Sequence, residues 1–200
     1  MTEASISADP AAGAARFDRP TDDGSKALRY DRVAAWLHWS IGLLLLAEIA
    51  FGLLLDEIAP RGTPARGSVI NLHKSFGIVL GVLIVVRVAW RLAHSPPPWP
   101  ASMSPRRRRA AELGHFALYG CMLVAPLAGY LGSNFSKHGI RFFGVAIAPW
   151  GPDWPATYSL FVAVHDASAY LLLALAVGHV VMALRHALVE RDGMFARIAP

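Results

Sequence analysis

Cysteine and charged residues are both scarce in this chain. The single cysteine, Cys121, cannot form an internal disulfide, and the absence of a Cys-x-x-Cys-His motif excludes covalent attachment of a c-type haem. Charged residues make up 16% of the 200 residues and hydrophobic residues 54%, whereas an ordinary soluble domain has about 25% charged residues. The composition therefore indicates a membrane protein.

Four apolar segments approach the roughly 20 residues needed to cross the hydrocarbon core of a bilayer. They span about residues 33–55, 69–90, 113–131 and 158–184. Because a spanning segment must satisfy its own backbone hydrogen bonds, each is predicted to be a helix. We predict an all-α membrane protein whose residues 30–200 form an antiparallel four-transmembrane-helix bundle. Residues 1–29 have little apolar content and no signal-peptide core, which predicts a disordered cytoplasmic tail.

The formal net charge of +5 could indicate a nucleic-acid-binding protein. The basic residues, however, flank the apolar segments and are not interleaved with stacking aromatics. We therefore expect membrane lipid as a partner and no nucleic acid. Lys and Arg are concentrated in the tail, the second loop and the C-terminus, which predicts that both termini face the cytoplasm. The arginines at 106–109 belong to this signal and would attract anionic lipid.

Histidines recur at two depths in the apolar segments. His165 and His179 lie fourteen residues apart, which places them roughly 21 Å apart on nearly the same face of one helix. Strongly polar side chains are costly in hydrocarbon, so such a pair indicates a function. The predicted orientation brings His38 to the depth of His179 and His73 to the depth of His165. We predict an inner pair, His38 with His179, and an outer pair, His73 with His165.

Two imidazoles at each depth are typical of b-type haem, and ligation on both faces of the iron favours one-electron transfer. Structural zinc is disfavoured because it needs about four ligands in one place. A single membrane histidine can also be only an interhelical hydrogen-bond donor. Gly42, Gly77 and Gly81 lie on the same helix faces as His38 and His73, where they would let a porphyrin approach the backbone. Their alternative role is helix packing.

Several short motifs resemble the prokaryotic cytochrome b561 family. They are Leu37-His38-Trp39, Asn71-Leu72-His73-Lys74-Ser75-Phe76-Gly77, Leu113-Gly114-His115-Phe116 with Tyr119, Val164-His165-Asp166, Gly178-His179 and Arg191-Asp192-Gly193-Met194. The resemblance covers about residue 30 to the end. It implies a four-helix protein of the bacterial inner membrane with two b haems in its core, which exchanges electrons with quinone. It also implies iron ligation by His38, His73, His165 and His179.

One branch of this family is similar to superoxide:ubiquinone oxidoreductases. On this resemblance we expect electron transfer from a periplasmic one-electron donor, with superoxide as the first candidate, to ubiquinone. The alternative is a cytochrome b membrane anchor that relays electrons for a hydrogenase or dehydrogenase partner. Lys74, Lys137, His138 and Arg141 are candidates for a positive funnel that concentrates a small anion near the outer haem. The alternative role of Lys74 is to neutralise a haem propionate.

The remaining polar residues are candidates for roles beside the haems or in the membrane. His115 is the rival ligand at the inner haem. We expect it to hydrogen-bond to a propionate or to a neighbouring helix, and its alternative role is contact with quinone. Arg87 would reach an inner propionate or lipid phosphate. His186 is a candidate for quinone binding or proton uptake, or is an ordinary interfacial histidine. Glu48 lies near mid-bilayer, roughly 80° around the helix from His38, so we expect no contact with that ligand and a carboxyl group that is protonated, paired inside the bundle or part of a proton relay.

Overall fold

The computed structural model describes residues 29–100 and 103–199, so the predicted tail lies outside it apart from Arg29. Four long helices dominate this part of the chain, and each is long and apolar enough to cross a membrane. They are α1 (Arg32–Leu53), α2 (Arg66–Ala93), α3 (Pro105–Asn134) and α4 (Pro155–Arg185). The predicted all-α membrane fold is confirmed.

The helix boundaries differ from the predicted ones because caps, and not only apolar runs, decide where helices begin. Asp31 caps α1 by accepting a hydrogen bond from the Ala34 N–H at 2.8 Å. Ser104 caps α3, and Pro105 occupies its first position, where a missing N–H costs nothing. The arginines at 106–109 therefore lie in the first turns of α3, and the prediction of a loop there was wrong.

The centre of the bundle is an apolar layer to which all four long helices contribute. Its buried members are Ile41, Leu45, Leu80, Ile84, Met122 and Leu172. Leu172 lies seven residues from both His165 and His179, or about 10 Å along α4 in each direction. Large apolar side chains on the outer faces, such as Leu43 and Val82, are exposed, as expected of a surface that contacts lipid. The layer thus separates two ends of the bundle.

One end of the bundle is covered by an antiparallel hairpin, where the sequence predicted only a loop. Its strands are β1 (Ile140–Phe142) and β2 (Val145–Ile147). Phe143 and Gly144, between them, have φ of 45° and 94°, as in the type I′ turns that suit tight hairpins. Asn71 Oδ1 accepts a hydrogen bond from Arg141 N at 2.7 Å, and Ser75 Oγ accepts one from Phe143 N at 3.0 Å. These bonds fix the hairpin on α2, and we call this the hairpin end.

The opposite end, which we call the termini end, contains both ends of the described chain. After α4 the chain forms a π-helical turn (His186–Glu190) and a short 3₁₀ turn (Phe195–Arg197). The C-terminal segment then returns to the start of α1. The Tyr30 N–H donates to the Arg197 carbonyl at 2.9 Å, and Trp39 Nε1 donates to the Ile198 carbonyl at 2.9 Å.

Candidate cofactor sites

At the hairpin end, His73 on α2 faces His165 on α4. Their ring centroids are 6.0 Å apart and their planes are inclined by 85°. Both side chains are partly buried between the helices. The structure therefore brings together the two residues of the predicted outer pair, which we call the hairpin-end pair.

At the termini end, three histidines meet. The ring centroids of His38 and His179, the predicted inner pair, are 6.0 Å apart, with planes inclined by 70°. His115 on α3 lies as near: its ring centroid is 5.5 Å from that of His179. We call these three residues the termini-end histidines. His179 thus has two possible partners at this depth.

A spacing of 6.0 Å suits two imidazoles that bind one metal atom from opposite sides. Each bond from nitrogen to metal would be about 2 Å long, and each ring centre lies about 1 Å further out, which gives a separation of roughly 6 Å across a bis-histidine iron. Among the described residues, three potential ligands from His, Cys, Asp and Glu converge within reach of one ion only at His186, Glu190 and Asp192. The histidine pairs thus fit an axially ligated haem better than zinc.

Both residues of the hairpin-end pair have an acceptor next to Nδ1. His165 Nδ1 lies 2.8 Å from the Ala125 carbonyl oxygen of α3. Because the carbonyl can only accept, Nδ1 carries a proton, and in the neutral ring Nε2 is then free to bind a metal. His73 Nδ1 lies 2.9 Å from Glu48 Oε1, although the N–H is not aligned well enough for a hydrogen bond. An acceptor at this position favours the same tautomer. These are the contacts that commonly orient a metal-binding histidine.

The contact of Glu48 was not predicted from the sequence. The position of Glu48 around α1 relates it only to residues of the same helix, such as His38. In the structure the carboxyl group points instead at His73 on α2 and is buried, with 8% of the residue exposed. Among the roles considered for Glu48, pairing inside the bundle is the one that the geometry favours.

At the termini end the tautomers differ between the histidines. The Arg87 guanidinium donates to the Ala34 carbonyl at 3.0 Å and lies 3.3 Å from His38 Nδ1. Since a guanidinium can only donate, this contact needs a bare Nδ1, whereas a ring that ligates through Nε2 carries its proton on Nδ1. Ligation by His38 through Nε2 would therefore replace this contact. His115 Nδ1 lies 2.7 Å from the Ala111 carbonyl of its own helix, so Nδ1 donates and, in the neutral ring, Nε2 is bare.

Two glycines that sequence reasoning missed allow the hairpin-end histidines to approach the helices. A Cβ on Gly129 of α3 would lie 3.0 Å from His165 Nδ1, and one on Gly52 of α1 would lie 3.2 Å from His73 Cε1. Both distances are shorter than ordinary contacts. The small residues Ala125, Ala128, Gly129 and Gly132 of α3 were the signal for this close approach.

The three glycines singled out from the sequence have different surroundings. A Cβ on Gly77 would lie 3.7 Å from Glu48 Oε1, and one on Gly81 would lie 3.5 Å from Pro126 Cβ of α3. At Gly42, no atom of the described residues comes within 4 Å of such a Cβ, apart from its own helix and chain neighbours. Gly81 thus packs against a helix, and Gly42 leaves open space beside the face of His38.

The four residues of the predicted positive funnel lie at the hairpin end but do not play equal parts. Lys74 Nζ donates to the Gly139 carbonyl at 2.9 Å and is partly buried, so it holds the start of the hairpin. Lys137, His138 and Arg141 are exposed. The free positive surface therefore belongs to the hairpin and the turn before it.

A cavity of about 590 Å³ opens at the termini end. Its walls include Arg87, Arg91, Trp90 and Tyr119. The two guanidinium carbons lie 5.9 and 5.8 Å from the centroid of the Tyr119 ring. The two arginines suit carboxylate or phosphate groups. None of the termini-end histidines lines the cavity, but Arg87 in its wall also contacts His38.

His186 lies in the π-helical turn and is enclosed by acidic side chains. Its Nδ1 is 2.7 Å from Asp192 Oδ2 and 3.1 Å from Glu190 Oε2, which leaves Nε2 for another partner. Partial burial raises the pKa of the Asp192 carboxyl, but the Met194 N–H and the His186 ring outweigh it, so this pKa lies below its usual value. Glu190 also pairs with Arg185 at 3.0 Å.

The fold and the paired imidazoles define a class: a four-helix membrane protein in which histidines of facing helices lie close together at both ends of the bundle. The chain belongs to the prokaryotic cytochrome b561 family, because the family profile with the description "Prokaryotic cytochrome b561" matches residues 29–200. Membership implies b-type haem and electron transfer across a membrane. It also fits the four apolar helices of a multi-pass inner-membrane protein.

Curated relatives agree with this assignment. The chain is 34% identical to "Cytochrome b561 homolog 2" of Escherichia coli (strain K12) over 172 residues, which cover 85% of this chain and 90% of the relative. It is 26% identical to "Cytochrome b561 homolog 1" of the same organism, over 86% of this chain and 97% of the relative. It is also 27% identical to the "Probable superoxide oxidase CybB" of Yersinia pestis, over 86% and 96% respectively.

Proposed function

We propose that this protein moves single electrons across the inner membrane, from a periplasmic donor at the hairpin end to quinone. The observation that carries the proposal is the pair of His–His separations, both 6.0 Å, on opposite sides of the apolar layer. His73 with His165, and His38 with His179, would each hold one b haem. Haem iron held between two imidazoles supplies one-electron transfer.

The chain's own residues would hold and isolate these two sites. The Ala125 carbonyl holds the His165 ring in the ligating tautomer by accepting from Nδ1. The Glu48 carboxyl beside His73 Nδ1 would favour the same tautomer there. Arg87 and Arg91 line the termini-end cavity, where they would bind the propionates of the second haem. The apolar layer excludes water between the two ends. The bundle would thus hold the two haems on opposite sides of one apolar layer.

Superoxide is the donor that we favour. The exposed Lys137, His138 and Arg141 would attract a small anion to the hairpin end, and one relative is named a probable superoxide oxidase. We place both termini in the cytoplasm, as the distribution of Lys and Arg predicts, so that the hairpin faces the periplasm. Ubiquinone is the proposed acceptor. His186 is a candidate to bind its carbonyl group, because its Nε2 is not used by the two carboxylates.

The test is a reconstitution with the purified holoprotein, a steady source of superoxide and a soluble ubiquinone analogue. We expect ubiquinol to form in proportion to the superoxide removed, and the His73→Ala protein to lose this activity. A protein that holds haem but reduces no quinone with superoxide, and that copurifies with a hydrogenase or dehydrogenase subunit, would instead be a membrane anchor.

A further inference from the structure

Glu48 is a buried acid that lies beside one polar side chain, His73. It lies on α1 near the apolar layer, its residue is 8% exposed, and its Oε1 is 2.9 Å from His73 Nδ1. Within the described part of the chain, neither of these two buried atoms has a hydrogen-bond partner. Gly77 on α2 lies beside the carboxyl group, since a Cβ there would be in ordinary contact with Oε1 at 3.7 Å. The acid therefore acts on this one ring.

At the termini end, Arg87 lies beside the candidate ligand His38 as Glu48 lies beside His73, but its charge is positive. Its guanidinium is fixed by the Ala34 carbonyl at 3.0 Å and lies 3.3 Å from His38 Nδ1. An arginine stays protonated in proteins. Even if the His38 contact is replaced on ligation, the bond to Ala34 keeps the positive charge beside this ring. One candidate ligand thus faces an acid, and the other faces a cation.

We propose that Glu48 and Arg87 set the direction of electron transfer by lowering the reduction potential at the hairpin-end pair and raising it at the termini end. Reduction adds one negative charge to a haem site. A carboxylate next to a ligating histidine makes the ligand more basic and opposes that added charge, whereas a nearby guanidinium favours it. The two residues together would make transfer from the hairpin end to the termini end energetically downhill. The inference rests on the proposed function, since it needs a haem at each end.

The test is a redox titration of the purified holoprotein, followed by its haem absorbance, in the wild type and in the Glu48→Gln and Arg87→Gln variants. Gln preserves the size of Glu48 and removes the charge. We expect Glu48→Gln to favour the reduced form at the hairpin end by about tenfold, a rise of about 59 mV for a one-electron couple. We expect Arg87→Gln to lower the other potential and to leave the first one unchanged.

The two potentials are assigned with His165→Ala, which should retain only the titration wave of the termini end. Glu48→Asp preserves the charge and should move the hairpin-end potential less than Glu48→Gln does, which provides a second variant if the first folds poorly. Glu112→Gln is the matched control, because it removes an acid that pairs at 2.9 Å with Arg108 on the exposed face of α3, and it should move neither wave.

The outcomes separate this inference from the function on which it rests. If Glu48→Gln leaves both titration waves in place, lowers the hairpin-end wave or moves both waves equally, the proposed role of Glu48 is wrong. The proposed function is not affected by any of these results. A wild-type protein that binds fewer than two haems would overturn the proposed function itself. A rise confined to the hairpin-end wave supports the inference, because a merely structural role for Glu48 would not move one potential in one direction.

Discussion

The close approach of His165 to α3 leads to a prediction about Gly129. A Cβ at this position would lie 3.0 Å from His165 Nδ1 and 3.4 Å from Cε1 of the same ring. Ordinary contacts begin at about 3.4 Å, so the ring must move by a few tenths of an ångström. The ring cannot move freely, since Nδ1 is bound to the Ala125 carbonyl at 2.8 Å. Gly129→Ala should therefore displace a ligand of the hairpin-end site.

The expected effect is loss of affinity for one haem. Disturbing the contacts that orient a metal-binding histidine typically costs about 10- to 100-fold in affinity. Replacing a glycine inside a helix by alanine would otherwise favour the helix by about 1 kcal/mol. The substitution should thus stabilise the helix slightly but weaken haem binding by more. We expect Gly129→Ala to bind the hairpin-end haem weakly and the other haem normally.

Gly120→Ala is the matched control on the same helix, because no atom of the described residues outside its own helix and neighbours lies within 4 Å of a Cβ there. The assay is the haem content per chain by pyridine haemochrome, together with thermal unfolding in detergent. Gly120→Ala should keep the full haem content and be as stable as the wild type or more so. If Gly129→Ala also keeps its full haem content and behaves as Gly120→Ala does, the assigned contact with His165 is not important.

Three further predictions concern the two ends of the bundle. Ser75→Ala should leave the Phe143 N–H without its partner and weaken hairpin docking by about 1–3 kcal/mol. Hydrogen exchange in residues 140–147 should then accelerate, whereas Ser133→Ala, which removes a bond within α3, should leave it unchanged. Reversing the charges of Lys137 and Arg141 to Glu should slow the reaction with superoxide by about tenfold at low salt and less at high salt; an effect independent of ionic strength would exclude the funnel. Asp192→Asn should destabilise the C-terminal turn at neutral pH. Because the pKa of Asp192 is lowered in the folded protein, its stabilisation is present above its ordinary value of 3.8 and disappears as the pH falls through the lowered pKa, so the unfolding temperatures of variant and wild type should converge in acid.

The main outline of the bundle could be predicted from the sequence because it depends on composition and on spacing along single helices. Four apolar segments were enough to predict four spanning helices. The fourteen-residue interval between His165 and His179, with the orientation of the helices, predicted that His73 lies beside His165 and His38 beside His179. It did not decide between His38 and His115 as the partner of His179. The depth of a residue in the membrane follows from its position along a spanning helix, and this position can be counted in the sequence.

The parts that could not be predicted depend on how one helix is rotated relative to another. The contact between Glu48 and His73 joins α1 to α2, and the contact between His165 and Gly129 joins α4 to α3. Neither follows from the position of a residue on its own helix. The start of α3 was missed for another reason: Ser104 and Pro105 define it locally, in a stretch that is too basic to resemble a membrane segment.

The central claim is that two pairs of histidines each bind one b haem. It is tested most directly by the haem content of the single variants His38→Ala, His73→Ala, His115→Ala, His165→Ala and His179→Ala. The wild type should contain two haems b per chain, His38→Ala and His179→Ala should lose the same one, and His73→Ala and His165→Ala the other. His115→Ala should keep both. If His115→Ala loses a haem while His38→Ala keeps both, the partner of His179 is His115 and the account of the termini end is wrong.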